Sequence, residues 1–251
     1  MNMRRAGAVA LATLLVAGCA SGGGEATDPA PSATPATTAT TATTATETSE
    51  PTPVPACPEG LPYNPGTYLW SAKDTQTVPL TITMTEGWKG CGLAFKELGE
   101  PGGVMMIGAW DVVNVYANPC HWRDSLMDPP VGPAIDDLAT ALEAQELTEA
   151  EPSAEVTIDG YAGKHVRVEV PVDLDTRDCD ADQIPEFRFW DGPGGSDWYL
   201  GAGDAPGLIG EAWIMDVDGR RVVIQAASFL DAGEERRDEI HGIVESIDFL
   251  P

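Results

Sequence analysis

A chain of 251 residues with 14 Lys and Arg against 40 Asp and Glu carries a formal charge of −26. That excess of acid excludes nucleic acid as a partner, and adsorption to anionic lipid, because both would repel it. Without residues 1–18, which hold Arg4 and Arg5 and no acid, the balance becomes 12 bases against 40 acids, or −28, and the remaining length suits one domain behind a polar tail.

The N-terminus comes first. Arg4 and Arg5 precede an apolar run from Ala6 to Val16 that is too short to span a bilayer as a helix. Val16-Ala17-Gly18-Cys19 then matches the lipobox of bacterial lipoproteins. Residues 1–18 are therefore expected to be a signal peptide, and Cys19 the lipidated residue that becomes the mature N-terminus. Small side chains suit a peptidase groove, and the thiol is the nucleophile that accepts the diacylglyceryl group. The expected location is the extracytoplasmic face of the cell membrane, held by lipid.

From Ser21 to Pro55 the sequence is almost entirely Thr, Ala, Pro, Gly, Ser and Glu. Val54 is its one sizeable aliphatic residue, so nothing there offsets the entropy of folding. Residues 19–56 are expected to be a disordered stalk, with a coil span of roughly 30 Å. Its Thr and Pro density permits O-glycosylation. The folded domain is expected over 57–251.

Four further cysteines, Cys57, Cys91, Cys120 and Cys179, fit two disulfides outside the cytoplasm, with three pairings open. The pairing expected is Cys57–Cys91 with Cys120–Cys179. No Cys-x-x-Cys is present, so neither a zinc ribbon nor a thioredoxin-type site is indicated.

Within the domain, Leu80, Ile82 and Met84 alternate with threonines as a half-buried strand does. Val104 to Tyr116 reads as a buried strand, or as two broken at Gly108. A helix opens at Pro133, with Asp136 and Asp137 in its first turn and Ile135, Leu138 and Leu142 on one face. Val156 to Ile158, Asp159-Gly160, and the alternating Val166, Val168 and Val170 predict a hairpin. Phe187 and Phe189 flank Arg188 in a short strand. Trp213 to Val217, Asp218-Gly219 and Arg221 to Ala226 predict a second hairpin. A last helix starts at Asp231 and Glu234, in capping-box spacing, and presents Ile240, Ile243, Val244 and Ile247. Two helices packed on a largely antiparallel sheet make an α+β domain.

Several segments lie in an order that resembles a known family. These are the strand before Gly87-Trp88, the central helix, the Val156 to Gly163 hairpin, and the final helix ending Val244-Glu-Ser-Ile-Asp-Phe249. Together they resemble small Mog1/PsbP-like domains. The resemblance implies a central antiparallel sheet between helices, serving binding or assembly rather than catalysis. The Val115 to Trp122 segment is similar to uncharacterised secreted domains of actinobacteria. Four Lys beside ten Arg, with abundant Ala, Gly, Thr and Asp, also resemble high-GC actinobacterial usage.

Catalytic patterns are sparse. Gly194-Gly195-Ser196-Asp197-Trp198 starts like a nucleophile elbow but lacks the final glycine. His165, in a strand alternation, and His241, on the polar side of a helix, read as surface residues. The acidic run Asp173, Asp175, Asp178, Asp180 and Asp182 could attract calcium, but an EF-hand counted from Asp178 would need glycine and glutamate where Gln183 and Phe189 stand. It is read as a solvated loop. Trp122, Trp190 and Trp198 fall beside Pro, Gly and Asp in expected loops, where an aromatic either stacks on a ligand or packs beneath the loop.

One candidate site follows from the cysteines. A Cys120–Cys179 bond would draw His121 and Trp122 toward Asp178 and Asp180, setting an aromatic plane beside carboxylates suited to a polar ligand. The competing reading is that Trp122 covers the disulfide. The function expected is a non-enzymatic binding or sensing module on a lipid anchor, and a monomer. It would take an envelope protein, a polar small molecule or a glycan, with no metal or cofactor indicated. The alternative is an extracytoplasmic hydrolase of unrecognised type.

Overall fold

The computed structural model describes residues 51–53, 62–71, 77–90, 93–99, 103–195 and 197–251. All of them belong to one unit, Thr48–Pro251. Cys19, the 1–18 segment, the stalk up to residue 50 and the Cys57–Cys91 pairing lie outside the described residues.

Thr52–Pro53 (β1) runs parallel to Gly66–Trp70 (β2) at the edge of a sheet, a place where proline costs no ladder bond. β2 pairs antiparallel with Leu80–Met84 (β3), and Leu80, Ile82 and Met84 are buried as their alternation predicts. Lys89–Gly90 (β4), Leu93–Gly99 (β5) and Gly103–Trp110 (β6) form a meander, and Asn114–Val115 (β7) follows. The helix Ile135–Glu143 (α1) leads to Glu149–Ala150 (β8) and to the hairpin of Ala154–Ile158 (β9) with Tyr161–Glu169 (β10). Glu186–Asp191 (β11) pairs with Trp198–Gly201 (β12), and Leu208–Val217 (β13) with Arg220–Phe229 (β14). The helix Glu234–Glu245 (α2) and Asp248–Phe249 (β15) complete the chain.

Three sheets result. The largest has the order β4-β5-β6-β14-β13-β10-β8, with β9 beside β10; the second is β1-β2-β3-β15, and the third β12-β11-β7. Of these pairings, only β1 with β2 is parallel. The expected α+β class, a largely antiparallel sheet packed by two helices, is what the chain adopts. No helix among the described residues is long and apolar enough to cross a membrane.

The central strands are covered on both faces. Trp213 and Met215 of β13 join Ile82, Trp88, Met105, Ile240 and Ile243 in one core. Ala212 and Ile214 of the same strand join Leu138, Leu142, Val166, Phe189 and Trp198 in another. Each fully buried aliphatic side chain contributes about 2 kcal/mol, so the Ile240, Ile243 and Val244 stripe fixes how α2 sits on the sheet. Glu239 then sets its position. It accepts from Trp88 Nε1 at 3.1 Å and pairs with Lys96 Nζ at 2.7 Å, tying the helix to the chain around β4 and β5.

Both Asp-Gly turns form as predicted. φ is 50° and 79° at Asp159 and Gly160, and 52° and 79° at Asp218 and Gly219, the left-handed pair that a tight hairpin needs. Several local expectations are corrected. β6 runs through Gly108 to Trp110, and the chain leaves the sheet only afterwards. Glycine fits the crowding there, since a Cβ would lie 3.0 Å from both the Leu93 and the Trp110 side chains. α1 begins at Ile135, because Ala134 is still extended at ψ 154°. The capping box at Asp231 does not form. Asp231 lies in the 3₁₀ turn Leu230–Ala232, and Gly233, at φ 81°, turns the chain before α2 starts. Trp190 and Trp198 sit in β11 and β12, not in loops, and both are buried.

Candidate functional site

The expected Cys120–Cys179 disulfide is present, with its Cα atoms 4.6 Å apart. It brings three of the four sequence-derived residues together. His121 Nδ1 lies 3.9 Å from Asp180 Oδ1, and Trp122 Nε1 donates to the Asp180 carbonyl at 3.4 Å. Asp178 is exposed and joins none of these bonds.

Trp122 already has a partner of its own. Its side chain lies in the turn Trp122–Asp124 and is only 8% exposed. The Arg188 guanidinium lies 3.6 Å from the ring centroid, close enough for a cation–π contact, and Arg123 lies at 4.6 Å. Arg188 is itself held by Glu186, Asp182 and Asp197. The aromatic plane proposed for a ligand is thus stacked on the chain's own cation. Three of the five aspartates in the acidic run are similarly committed. Asp175 pairs with Arg177, Asp180 accepts from the Arg123 backbone, and Asp182 takes both Arg123 and Arg188.

Behind Arg188, Asp191 is pushed up to about 6 by burial and by the neighbouring Asp197 carboxylate. Tyr116 is pushed up to about 12 by burial and by the same two carboxylates. This is a stacked, acid-rich support for the β11–β12 sheet.

A different cluster lies on the opposite face. In the β10–β13 register His165 faces Trp213 and Arg167 faces Glu211, so all four project to the side on which α2 packs. From α2, Glu234, Arg237, Asp238 and His241 fall at i, i+3, i+4 and i+7, a single stripe. The seven residues other than Trp213 line an open groove of about 500 Å³.

Glu211 forms its floor, with its side chain only 4% exposed. His241 Nε2 lies 3.0 and 3.2 Å from its two carboxylate oxygens. His165 Nε2 lies 3.3 Å from Oε1 but makes no aligned hydrogen bond, and that nitrogen is buried. Burial alone would raise the Glu211 carboxyl, but the two imidazoles outweigh it and hold the group at about 2. Glu211 in turn raises His241 above the ordinary histidine range. Trp213 stacks on the His165 ring, with centroids 4.7 Å apart and planes inclined by 23°, and meets His241 edge-on.

The reading of both histidines as surface residues holds for His241, whose side chain is 43% exposed, but not for His165, at 20%. His165 does alternate away from Val166 and Val168, yet its face of the sheet is roofed by α2, so the polar side of the alternation becomes a groove wall. Among the described residues, His165, Glu211 and His241 are the one group of His, Cys, Asp and Glu side chains whose potential metal-ligand atoms converge, all within 4.8 Å of one another. The available signal was a histidine and an acid on the polar face of neighbouring strands. It says nothing about distance until the register is known. No protein-family model, curated protein or solved structure matches the chain.

Proposed function

We propose that the chain is an exported lipoprotein, tethered through Cys19 to the outer face of a membrane, whose domain binds a cationic ligand in the groove between α2 and the β10–β13 pair. The observation that carries this reading is geometric: Glu211, with its side chain only 4% exposed, lies at the floor of an open groove between two imidazoles. A general base works best with a pKa near the working pH. Held low by its two imidazoles against the effect of burial, Glu211 is a poor proton acceptor, which favours binding over acid–base hydrolysis. The layering of a sheet between helices supports the Mog1/PsbP-like relationship, as a binding module.

The chain's three histidines make this testable, because their ring proton NMR signals are few enough to resolve in the untagged protein. Methylammonium or guanidinium salts are expected to move the His165 and His241 signals while exposed His121 stays still. Glu211→Gln is expected to abolish those shifts, with sodium chloride of equal ionic strength as the control. Absence of any shift at both histidines would overturn the groove. The tether is checked separately: Cys19→Ala should lose radioactive fatty-acid labelling and leave the detergent fraction, since two or more acyl chains are needed for stable anchoring.

A further inference from the structure

Three side chains from three elements meet at the groove floor: His165 from β10, Glu211 from β13 and His241 from α2. We propose that they form a binding site for one divalent transition-metal ion of the zinc type, with two imidazole nitrogens and one carboxylate as ligands and a fourth position open to the groove. The proposal rests on the groove being the binding surface and names the ion that it takes.

The donor set points to that class of ion. Two imidazoles with a carboxylate suit zinc and its neighbours, whereas calcium and magnesium prefer all-oxygen shells. The spacing also fits. Zinc bonds of about 2.0–2.2 Å in a tetrahedron set ligand atoms roughly 3.3–3.5 Å apart. The two edges to Glu211 already measure 3.0 and 3.3 Å. The third, between the imidazoles, lies within the 4.8 Å limit of the group.

His165 supplies a further argument. Its Nε2 is buried and points toward Glu211 without an aligned hydrogen bond. The Glu211 carboxylate 3.3 Å away is its ion-pair partner only when the ring is protonated, and a metal bond would satisfy the neutral nitrogen. Trp213, stacked on the ring, restrains the plane in which that nitrogen is presented. His241 approaches from the helix at a ring-to-ring angle of 82° to His165, so the two nitrogens converge from different directions. Asp238 and Glu234 line the groove nearby, where a fourth ligand or a water would sit.

The experiment uses the untagged full-length protein, stripped with a chelator and titrated with zinc chloride by calorimetry, and with cobalt chloride by visible absorption. The expected result is one equivalent bound, with the intense cobalt bands of a four-coordinate site, undisturbed by excess calcium. Outer partners of metal ligands typically cost 10–100-fold in affinity, so removing a ligand in His165→Ala or His241→Ala is expected to weaken zinc by at least about 100-fold. His121→Ala should change nothing.

Ring NMR of the wild-type protein gives an answer that does not depend on any variant folding. Zinc should shift His165 and His241 and leave His121 in place. Weak, multiple binding that calcium competes away, or binding indifferent to both histidines, would overturn the site. If methylammonium moves the two histidines and zinc does not, the metal fails and the groove stands. If neither moves them, both readings fall.

Discussion

Removing a carboxylate from water costs several kcal/mol unless partners compensate, and Glu211 has two imidazoles where one would suffice for an ion pair. Trp122 shows the opposite economy, since its ring is used by Arg188. Trp122→Ala should remove a buried aromatic at about 3 kcal/mol, which for a domain of this size lowers the thermal midpoint by roughly 6–12 °C. A thermal melt checks it, and a midpoint within a degree or two of wild type would contradict the packing role. Asp191 carries the pH prediction. Its folded carboxyl titrates near 6 instead of 3.8, raised by burial and by Asp197. Between those values the unfolded chain has lost this proton while the folded one keeps it, so stability from this group falls as pH rises from about 4 to 6. Asp191→Asn lacks the titration and should gain on wild type across that window, measured as the difference in midpoint at pH 4 and pH 7. A difference that is flat with pH would remove Asp191 as the cause.

Secondary elements were legible where a period of two or an Asp-Gly turn marked them and obscure where a bulge broke the period. The Leu80, Ile82 and Met84 alternation and both Asp-Gly hairpins could be read directly, because a period of two and a left-handed turn are local properties. β11 could not. A bulge shifts the register between Arg188 and Trp190, which lets Phe189 and Trp190 both be buried although they are consecutive. Simple alternation cannot express that, so the sequence pattern points Trp190 to a loop. Close approach between β10 and β13 has its own test. A Cβ at Gly163 would lie 2.6 Å from the Ile214 carbonyl oxygen and 2.5 Å from Met215 Sδ. Gly163→Ala is expected to destabilise by about 1–3 kcal/mol, read from denaturant midpoints. An unchanged midpoint would mean that the pair separates freely, and the fixed geometry between His165 and Glu211 would lose its support.

The fold as a whole places its two candidate sites on opposite faces of one sheet, each built from residues distant in sequence. The disulfide site was legible because four cysteines outside the lipobox leave only three pairings, one of which sets Cys120 against Cys179 without any knowledge of register. Nothing equivalent marks His165, Glu211 and His241. Their meeting depends on how β10 pairs with β13 and on how Glu239 and the Ile240 stripe seat α2. The metal site is therefore a property of the assembled layers, and it stands or falls on one position in space. Crystals of the full-length protein grown with zinc, with diffraction recorded on either side of the zinc absorption edge, test it most directly. The result expected is a single strong anomalous peak about 2.0–2.2 Å from His165 Nε2, His241 Nε2 and a Glu211 carboxylate oxygen. A map whose peaks lie only on exposed carboxylates, with none between these three side chains, would contradict it.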